Sequence, residues 1–594
     1  MSEENKNLEH KRHTLAHLLA AAVLAEYPHA KVTLGPAIEN GFYYDFDFTG
    51  GDAPGDADLK SIQKNMRKML GQWTEFTHRE VSVEEAKEIF SDNPFKLELI
   101  EEIAAKDEPI TLYTAGAGTK AEFTDLCRGG HAGNPAEEIS PDSFKLDKVA
   151  GAYWRGDEKN IMLTRIYGLA FDSKEDLEAY GEKLEEAAQR DHRKLGKELD
   201  LFTFSDLVGS GLPLYTPKGQ LMRESIKDLL WDLSKKRGYV KVEIPHITKI
   251  DLYETSGHAA KFKDEFFYVH GAQSNDDFVM KPMNCPHHTQ IFDSQPRSYR
   301  DLPIRMAEVT HMYRDEKPGQ LMGLGRVRAI AIDDAHVFCR RDQIKEEAVT
   351  IAEIIREFYE CFNLWNKGET FWVSLSVRDP KTPEKYLGEE QGWNDAEAYL
   401  QEVSDELGLD AKRMEGEAAF YGPKLDFMFT DALGRERQLA TIQIDFVMPE
   451  RFGLEYTDSD GSKQRPVMIH RAVAGSLERF MAIMIEHYAG AFPLWLSPEQ
   501  VRVIPVSDTH LSYAEEVFAK LKAADIRVSL EDGKDSMGKK IRSAKQAKLP
   551  YFIVVGDKEV EDKTVTVEGR DGTSTVLTLN ELANKLQTEI DTKA

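Results

Sequence analysis

The stretch that decides the fold runs from Met306 to Cys339, MAEVTHMYRDEKPGQLMGLGRVRAIAIDDAHVFC. It divides into strand, loop and strand. Glu308 to Arg314 suits a short strand, and Lys317-Pro318-Gly319 with Gly323 and Gly325 breaks it into a long loop. From Arg326 the chain alternates. Arg326, Arg328, Ile330, Ile332, Asp334 and His336 are expected to share one face of a second strand, because side chains flip with period two. Val327, Ala329, Ala331, Asp333 and Ala335 fall on the other face. Charges therefore share a face with a potential metal ligand, and small apolar groups sit behind. Taken alone, the pattern also fits a solvated face on an edge hairpin, the usual fate of charged residues.

Arg314-Asp315-Glu316, the Gly-rich loop, Arg326-x-Arg328 and Asp333-Asp334-Ala335-His336 together resemble motif 2 of a class II aminoacyl-tRNA synthetase. The Asp-Asp-Ala-His-x-Phe ending resembles the threonyl-tRNA synthetases within that class. Ile330 and Ile332 depart from the pattern, standing where that family usually has Phe and Gln.

At 594 residues the chain is too long for one core, and roughly three or four domains are expected. Hydrophobic content of 41% and charged content of 30% are ordinary for a globular protein. No apolar run reaches the roughly 18–20 residues that span a bilayer. The polar N-terminus MSEENKNLEHKR has no signal-peptide pattern. Four cysteines do not make a disulfide framework, so a reducing cytoplasm is the expected location. A net charge of −27 argues against nucleic-acid binding by whole-molecule attraction. A local basic patch is still present in Lys534, Lys539, Lys540, Arg542, Lys545 and Lys548, which fits a tRNA contact or a solvated helix face equally.

The chain reads as multidomain α+β and α/β. Residues 1–180 form a first segment opening on a helix with His13 and His17. Residues 181–200 belong to a charged connector helix that starts near Ser173 and ends near Leu199. Residues 201–498 mix strands and helices, and 499–594 alternate short β runs with helices in a βαβ rhythm. The resemblance implies an N-terminal α+β editing domain, an antiparallel-sheet class II catalytic domain and a C-terminal α/β anticodon-binding domain. It also implies that the small ubiquitin-like domain preceding editing in many relatives is lacking.

Cys285 in Lys-Pro-Met-Asn-Cys-Pro, His336, and His470 in Val-Met-Ile-His-Arg stand far apart in sequence. Any lone Cys or His is more often a packed core residue than a ligand. The resemblance gives these three as ligands of one catalytic Zn²⁺ per subunit, with a fourth position open to threonine's amino and hydroxyl groups. It implies threonine contacts at Asp334, Tyr421 and Gln443, and ATP contacts at Arg314, Glu316, Arg326 and Arg479, with Mg²⁺ accompanying the nucleotide. Arg479 lies in Gly475-Ser-Leu-Glu-Arg-Phe480, which is similar to motif 3. His258 matches a histidine that assists transfer to tRNA. Gly238 to Pro245 is similar to motif 1, which usually builds a homodimer interface. The implied activity is a threonine–tRNA ligase acting on L-threonine, ATP and tRNA(Thr).

His13-Thr-Leu-Ala-His17 puts two histidines at i and i+4 on one helix face, and Cys127-Arg-Gly-Gly-His131 adds a thiol and a third imidazole. Generically these suggest a structural or hydrolytic zinc site. Followed by Ala150 to Gly156, they resemble the editing domain of the same family, with Lys96 and Asp125 at further matching positions. Such a domain answers a physical need. Serine keeps the hydroxyl and lacks only a methyl, worth about 1–3 kcal/mol, so a second, hydrolytic site must remove seryl-tRNA.

In the C-terminal segment Glu559 is the implied anticodon contact. Glu568, or Arg570 if the register slips, stands where relatives often carry an anticodon-reading Arg. Further departures are His287 after Cys-Pro, Met322 in the motif 2 loop and Ala440. These departures keep two other readings open: a paralogue with altered amino acid choice, motivated by Ile332, and an RNA-binding regulator.

Overall fold

In the computed structural model the described residues are 3–273, 276–431 and 434–593. The stretch read first is a long antiparallel hairpin. Ile304–Tyr313 pairs with Ala329–Cys339 from Ile304↔Phe338 to Tyr313↔Ala329. Its first strand starts earlier than expected. Its second starts later, so Arg326 and Arg328 lie in the loop rather than on the strand face. The cause is a contact remote in sequence: the Arg328 amide donates to Gly211 O at 2.8 Å, and its guanidinium reaches the Glu316 carbonyl at 2.9 Å. The Arg328 amide is thereby committed outside the ladder. From Ala329 the period-two reading holds, with Asp334 and His336 on one face and Asp333 on the other.

This hairpin sits inside an eight-stranded sheet ordered 240–241, 304–313, 329–339, 467–472, 436–445, 424–430, 371–377, 412–415. Pairing is antiparallel except at the two edges. The helices Pro217–Lys235, Ile344–Glu360 and Leu477–His487 bury their apolar stripes against it. In Ile344–Glu360 the buried positions Ile344, Ala348, Ile351, Ile355 and Phe358 recur at helical spacing.

The chain divides into two compact units, up to Glu186 and from Ala187. In the first, the helix Glu3–Glu26 packs on an antiparallel sheet built around Gly41–Asp47, Met162–Ala170 and Phe144–Tyr153. A second sheet joins Phe76–Val81, Ile110–Ala115 and Phe123–Leu126. The connector expected as one helix is two, Lys174–Arg190 and His192–Glu198. Asp191 breaks it, its side chain capping the second helix through the Arg193 amide at 2.7 Å.

The C-terminal sheet has the order 528–530, 501–505, 551–555, 564–569, 574–578. The first three strands are parallel, as the βαβ rhythm predicts, and an antiparallel hairpin follows. Among the described residues no helix is long and apolar enough to cross a membrane.

Candidate functional site

The sheet register explains why residues remote in sequence meet. His336 lies directly across from His470, and His470 from Gln443, in three neighbouring strands. Directly opposed side chains on adjacent antiparallel strands sit about 4.5–5.5 Å apart at Cβ. Cys285 opens the helix Cys285–Asp293 beside this row. One ligand atom from each of Cys285, His336 and His470 lies within 4.8 Å of the others, and all three residues are buried.

The hydrogen bonds around these histidines assign their protons. Asp445 Oδ2 lies 2.8 Å from His470 Nε2, while its other oxygen accepts the Val447 and Met448 amides. His470 therefore carries its proton on Nε2, and its Nδ1 is bare. On the other side, Glu308 Oε1 lies 3.0 Å from His288 Nε2, and His288 Nδ1 lies 2.7 Å from His336 Nδ1. The carboxylate accepts from His288, which in turn accepts from His336, leaving His336 Nε2 bare. The two bare nitrogens face each other at 3.1 Å. Two imidazole nitrogens on one tetrahedral Zn²⁺ would be about 3.3 Å apart, given metal–nitrogen bonds of about 2.0–2.1 Å. Burial pushes the Cys285 thiol well above its ordinary pKa, and the charges of Asp334 and Asp445 add to this, so a thiolate there needs a cation. Burial likewise holds His336 well below the usual range, so it stays neutral. The donor set fits zinc, and its outer partners have the carboxylate–histidine form that orients metal ligands.

The other substrate candidates gather on the same side. Asp334 accepts from Asn284 Nδ2 at 3.1 Å and lies 3.6 Å from His336 Nε2. Burial raises its carboxyl to about 6. The Tyr421 ring stands 5.2 Å from His470 and 5.8 Å from His258. Gln443 donates to Gly422 O at 2.9 Å. His258 is fully buried, its Nδ1 paired with Ser256 at 2.8 Å and its Nε2 without a partner among the described residues. Burial lowers its pKa to about 3, so it is a neutral imidazole.

Of the nucleotide candidates, Glu316 and Arg326 are ion-paired to each other at 2.7 Å. Arg479 donates to Gly325 O at 3.3 Å, and Arg314 reaches Met283 Sδ at 3.4 Å. The motif 2 loop is fixed by a residue that sequence reasoning missed. His192 Nε2 accepts the Leu324 amide at 3.1 Å, and its Nδ1 pairs with Glu486 at 2.7 Å. Gly323 has φ +51°, and a Cβ there would meet His192 Nε2 at 2.4 Å. Asp333, on the opposite sheet face, pairs with fully buried Arg471 at 3.0 Å and accepts the Val473 and Ala474 amides. That cluster ties the motif 2 strand to the turn before the 477–487 helix.

In the first unit, His13, His17, Cys127 and His131 come together, each offering an atom within 4.8 Å of the others. Gly129 and Gly130, with φ +88° and +82°, turn the chain so that Cys127 Sγ and His131 Nε2 lie 3.3 Å apart. Burial holds His131 down to about 2 and raises Cys127 to about 11. Lys96 and Asp125 form a buried ion pair at 2.5 Å, and Tyr44 donates to Asp125 at 2.5 Å. A cavity of about 410 Å³ reaches from these residues to His13 and His17. Neither Tyr44 here, nor His288 on the 285–293 helix, nor Glu308 and Asp445 in the sheet, carried a motif signal.

The C-terminal candidates are largely used internally. Glu559 accepts the Gly556 amide at 2.9 Å and the Thr566 hydroxyl at 2.6 Å. Arg570 donates to the Lys548, Ala491 and Phe492 carbonyls, which explains its position without an RNA contact. Glu568 pairs with Lys545 at 2.8 Å. The six-residue basic patch is correspondingly weaker than its composition suggests, since Lys540 is buried against Glu531 O and Lys548 donates to Ala489 O.

Residues 265–488 match the tRNA synthetase class II core domain (G, H, P, S and T), and 500–589 match the anticodon binding domain. A threonine–tRNA ligase from Gloeobacter violaceus is 49% identical, covering 95% of this chain and 89% of its own length. One from Thermosynechococcus vestitus is 47% identical, covering 96% and 93%. Among solved structures, the RNA binding domain of threonyl-tRNA synthetase from Cryptosporidium parvum superposes with TM-score 0.62 at 38% identity, over 67% of this chain and 98% of that one. Identity of this order along nearly the whole chain, on a sheet that assembles the class II motifs, decides the family: the chain belongs to the threonine–tRNA ligases of the class II aminoacyl-tRNA synthetases.

Proposed function

We propose that the chain joins L-threonine to tRNA(Thr) in two steps at the 201–498 domain. A threonine carboxylate oxygen attacks the α-phosphorus of ATP. The bond to the bridging oxygen breaks, and pyrophosphate leaves with the electron pair. A ribose hydroxyl of the terminal tRNA adenosine then attacks the threonyl carbonyl and AMP departs. Positioning and cationic clamps are what such a reaction needs most. Arg314 bridges the substrate carboxylate and the α-phosphate. Glu316 holds the adenine amino group once its pairing with Arg326 opens, and Arg326 and Arg479 hold the outer phosphates, with Mg²⁺ on the nucleotide. His258 assists the transfer.

Cys285, His336 and His470 hold Zn²⁺. When bound, the ion would supply a Lewis-acidic position for threonine's amino and hydroxyl groups, of which valine offers only the amino group. Asp334 accepts the substrate hydroxyl's hydrogen bond, and Tyr421 and Gln443 close the pocket. The 1–180 domain hydrolyses seryl-tRNA with His13, His17, Cys127, His131, Lys96 and Asp125. The 181–200 segment links it to the catalytic domain, and 499–594 reads the anticodon, with Glu559 as a contact. The protein works as a cytoplasmic homodimer. The exposed edge residues Val240 and Ile247 support a partner there.

The observation that carries this reading is the facing pair of ring nitrogens on His336 and His470, next to Cys285 and Asp334. Threonine-dependent ATP–pyrophosphate exchange, combined with zinc analysis, tests it. Exchange by zinc-loaded protein with about one zinc per subunit is expected, and its absence refutes the reading.

A further inference from the structure

A cavity of about 420 Å³ lies between the motif 2 loop and the 477–487 helix. Arg193, Arg326, Arg435, Arg437 and Arg479 line it, in a chain whose net charge is −27. Most of these cations are already matched. Arg193 pairs with Asp191, Arg326 with Glu316, and Arg435 with Asp431 and Glu486. The remaining acid on the wall, Glu436, keeps its charge, but it accepts from Trp372 at 2.7 Å and has no cation within ion-pair distance among the described residues. Two guanidiniums are left over. Arg479 has no carboxylate within ion-pair distance among the described residues. Among the described residues Arg437 has one carboxylate within ion-pair distance, Asp431 at 3.8 Å, which it shares with Arg435.

The backbone fixes this arrangement. The strand 436–445 carries a bulge at Leu439, where the register with 424–430 slips between Phe427↔Ala440 and Met428↔Gln438. Bulges re-aim side chains beside active sites. The Leu439 carbonyl lies so close to Gly475 that a Cβ there would approach it to 2.7 Å, which locks the bulge to the turn leading to Arg479. Loss of hydration lowers the Arg479 pKa, and the charge of Arg437 is the next largest cause, ahead of Arg326. Two like charges held together by the fold, without a full counter-charge, make an anion site. Planar guanidinium forks match phosphate oxygens.

We infer that Arg437 is a further phosphate-binding residue, gripping with Arg479 the pyrophosphate end of ATP and the released pyrophosphate. This rests on the proposed ATP-dependent activation and adds a residue to it. A stronger phosphate grip also suits a site where Ile330 offers adenine no ring to stack on.

The test uses full-length protein and inorganic pyrophosphate with Mg²⁺. Wild-type exchange with threonine checks the underlying reading; if it is absent, that reading fails independently of Arg437. Given exchange, Arg437→Gln is expected to raise KM for pyrophosphate and for ATP about tenfold or more, as loss of a charged hydrogen bond implies, with KM for threonine unchanged. Unchanged KM for both phosphates, or an equal rise for threonine, overturns the inference. Should the variant not fold, the wild type still decides. Pyrophosphate, but not threonine, should protect Arg437 from phenylglyoxal as read by peptide mass spectrometry, and equal modification with and without pyrophosphate overturns it.

Discussion

His336 Nε2 and His470 Nδ1 face each other at 3.1 Å, while Glu308 acting through His288, and Asp445 directly, offer proton acceptors to the far nitrogens of the two rings. The fold thus aims two ring nitrogens at one point before any ligand arrives. If this relay orients the donors, then Glu308→Gln or His288→Ala should weaken zinc binding about 10–100-fold in a chelator competition, with the apo fold retained. Unchanged zinc affinity would show that strand register alone orients the ligands.

His192 holds the motif 2 loop through the Leu324 amide, and Gly323 leaves room for that contact. Gly323→Ala combines a positive φ with a collision on the imidazole. It should raise KM for ATP while leaving KM for threonine near wild type, read from initial rates of exchange. A parallel rise in both would mean the loop does not act on the nucleotide alone.

The Asp333–Arg471 pair is fully buried, and removal of one partner strands a charge. Asp333→Ala should cost about 3–5 kcal/mol of stability in denaturant titrations, more than the double replacement with Arg471→Met. A single variant as stable as the double one would exclude the pair as a structural link.

In the first unit, His13→Ala with His17→Ala should leave threonine activation intact and let seryl-tRNA accumulate. Tyr44→Phe should act in the same direction more weakly, since it removes one hydrogen bond from Asp125 but not the Lys96 pairing. Mischarging at the wild-type level in the double histidine variant would remove the hydrolytic role from this cluster.

What the sequence revealed follows the reach of local rules. Period-two alternation located the 329–339 strand and put Asp334 and His336 on one face, because side-chain direction in a strand is a nearest-neighbour property. It failed at Arg326 and Arg328, where the contact to Gly211 commits the Arg328 amide outside the ladder, and such contacts leave no trace in spacing. The i, i+4 histidines lie on one helix, but the meeting of Cys127 and His131 beside them depends on the Gly129-Gly130 turn. His192, His288, Glu308, Asp445 and Arg437 acquire meaning only from sheet register and packing. The connector helix was legible as charged and helical, whereas its break needed Asp191 to be recognised as a cap. The basic patch shows the converse: its lysines were visible, but burial of Lys540 and the pairing of Lys545 were not.

The central claim is that threonine is selected and activated at the Cys285, His336 and His470 site. Its most direct test is ATP–pyrophosphate exchange by the zinc-loaded protein with threonine, serine and valine side by side, repeated on Cys285→Ser. The account predicts strong exchange with threonine, a rate about 10–200-fold lower with serine, essentially none with valine, and loss of both zinc and exchange in the variant. Exchange that treats valine like threonine, or that persists in a zinc-free Cys285→Ser protein, would contradict it.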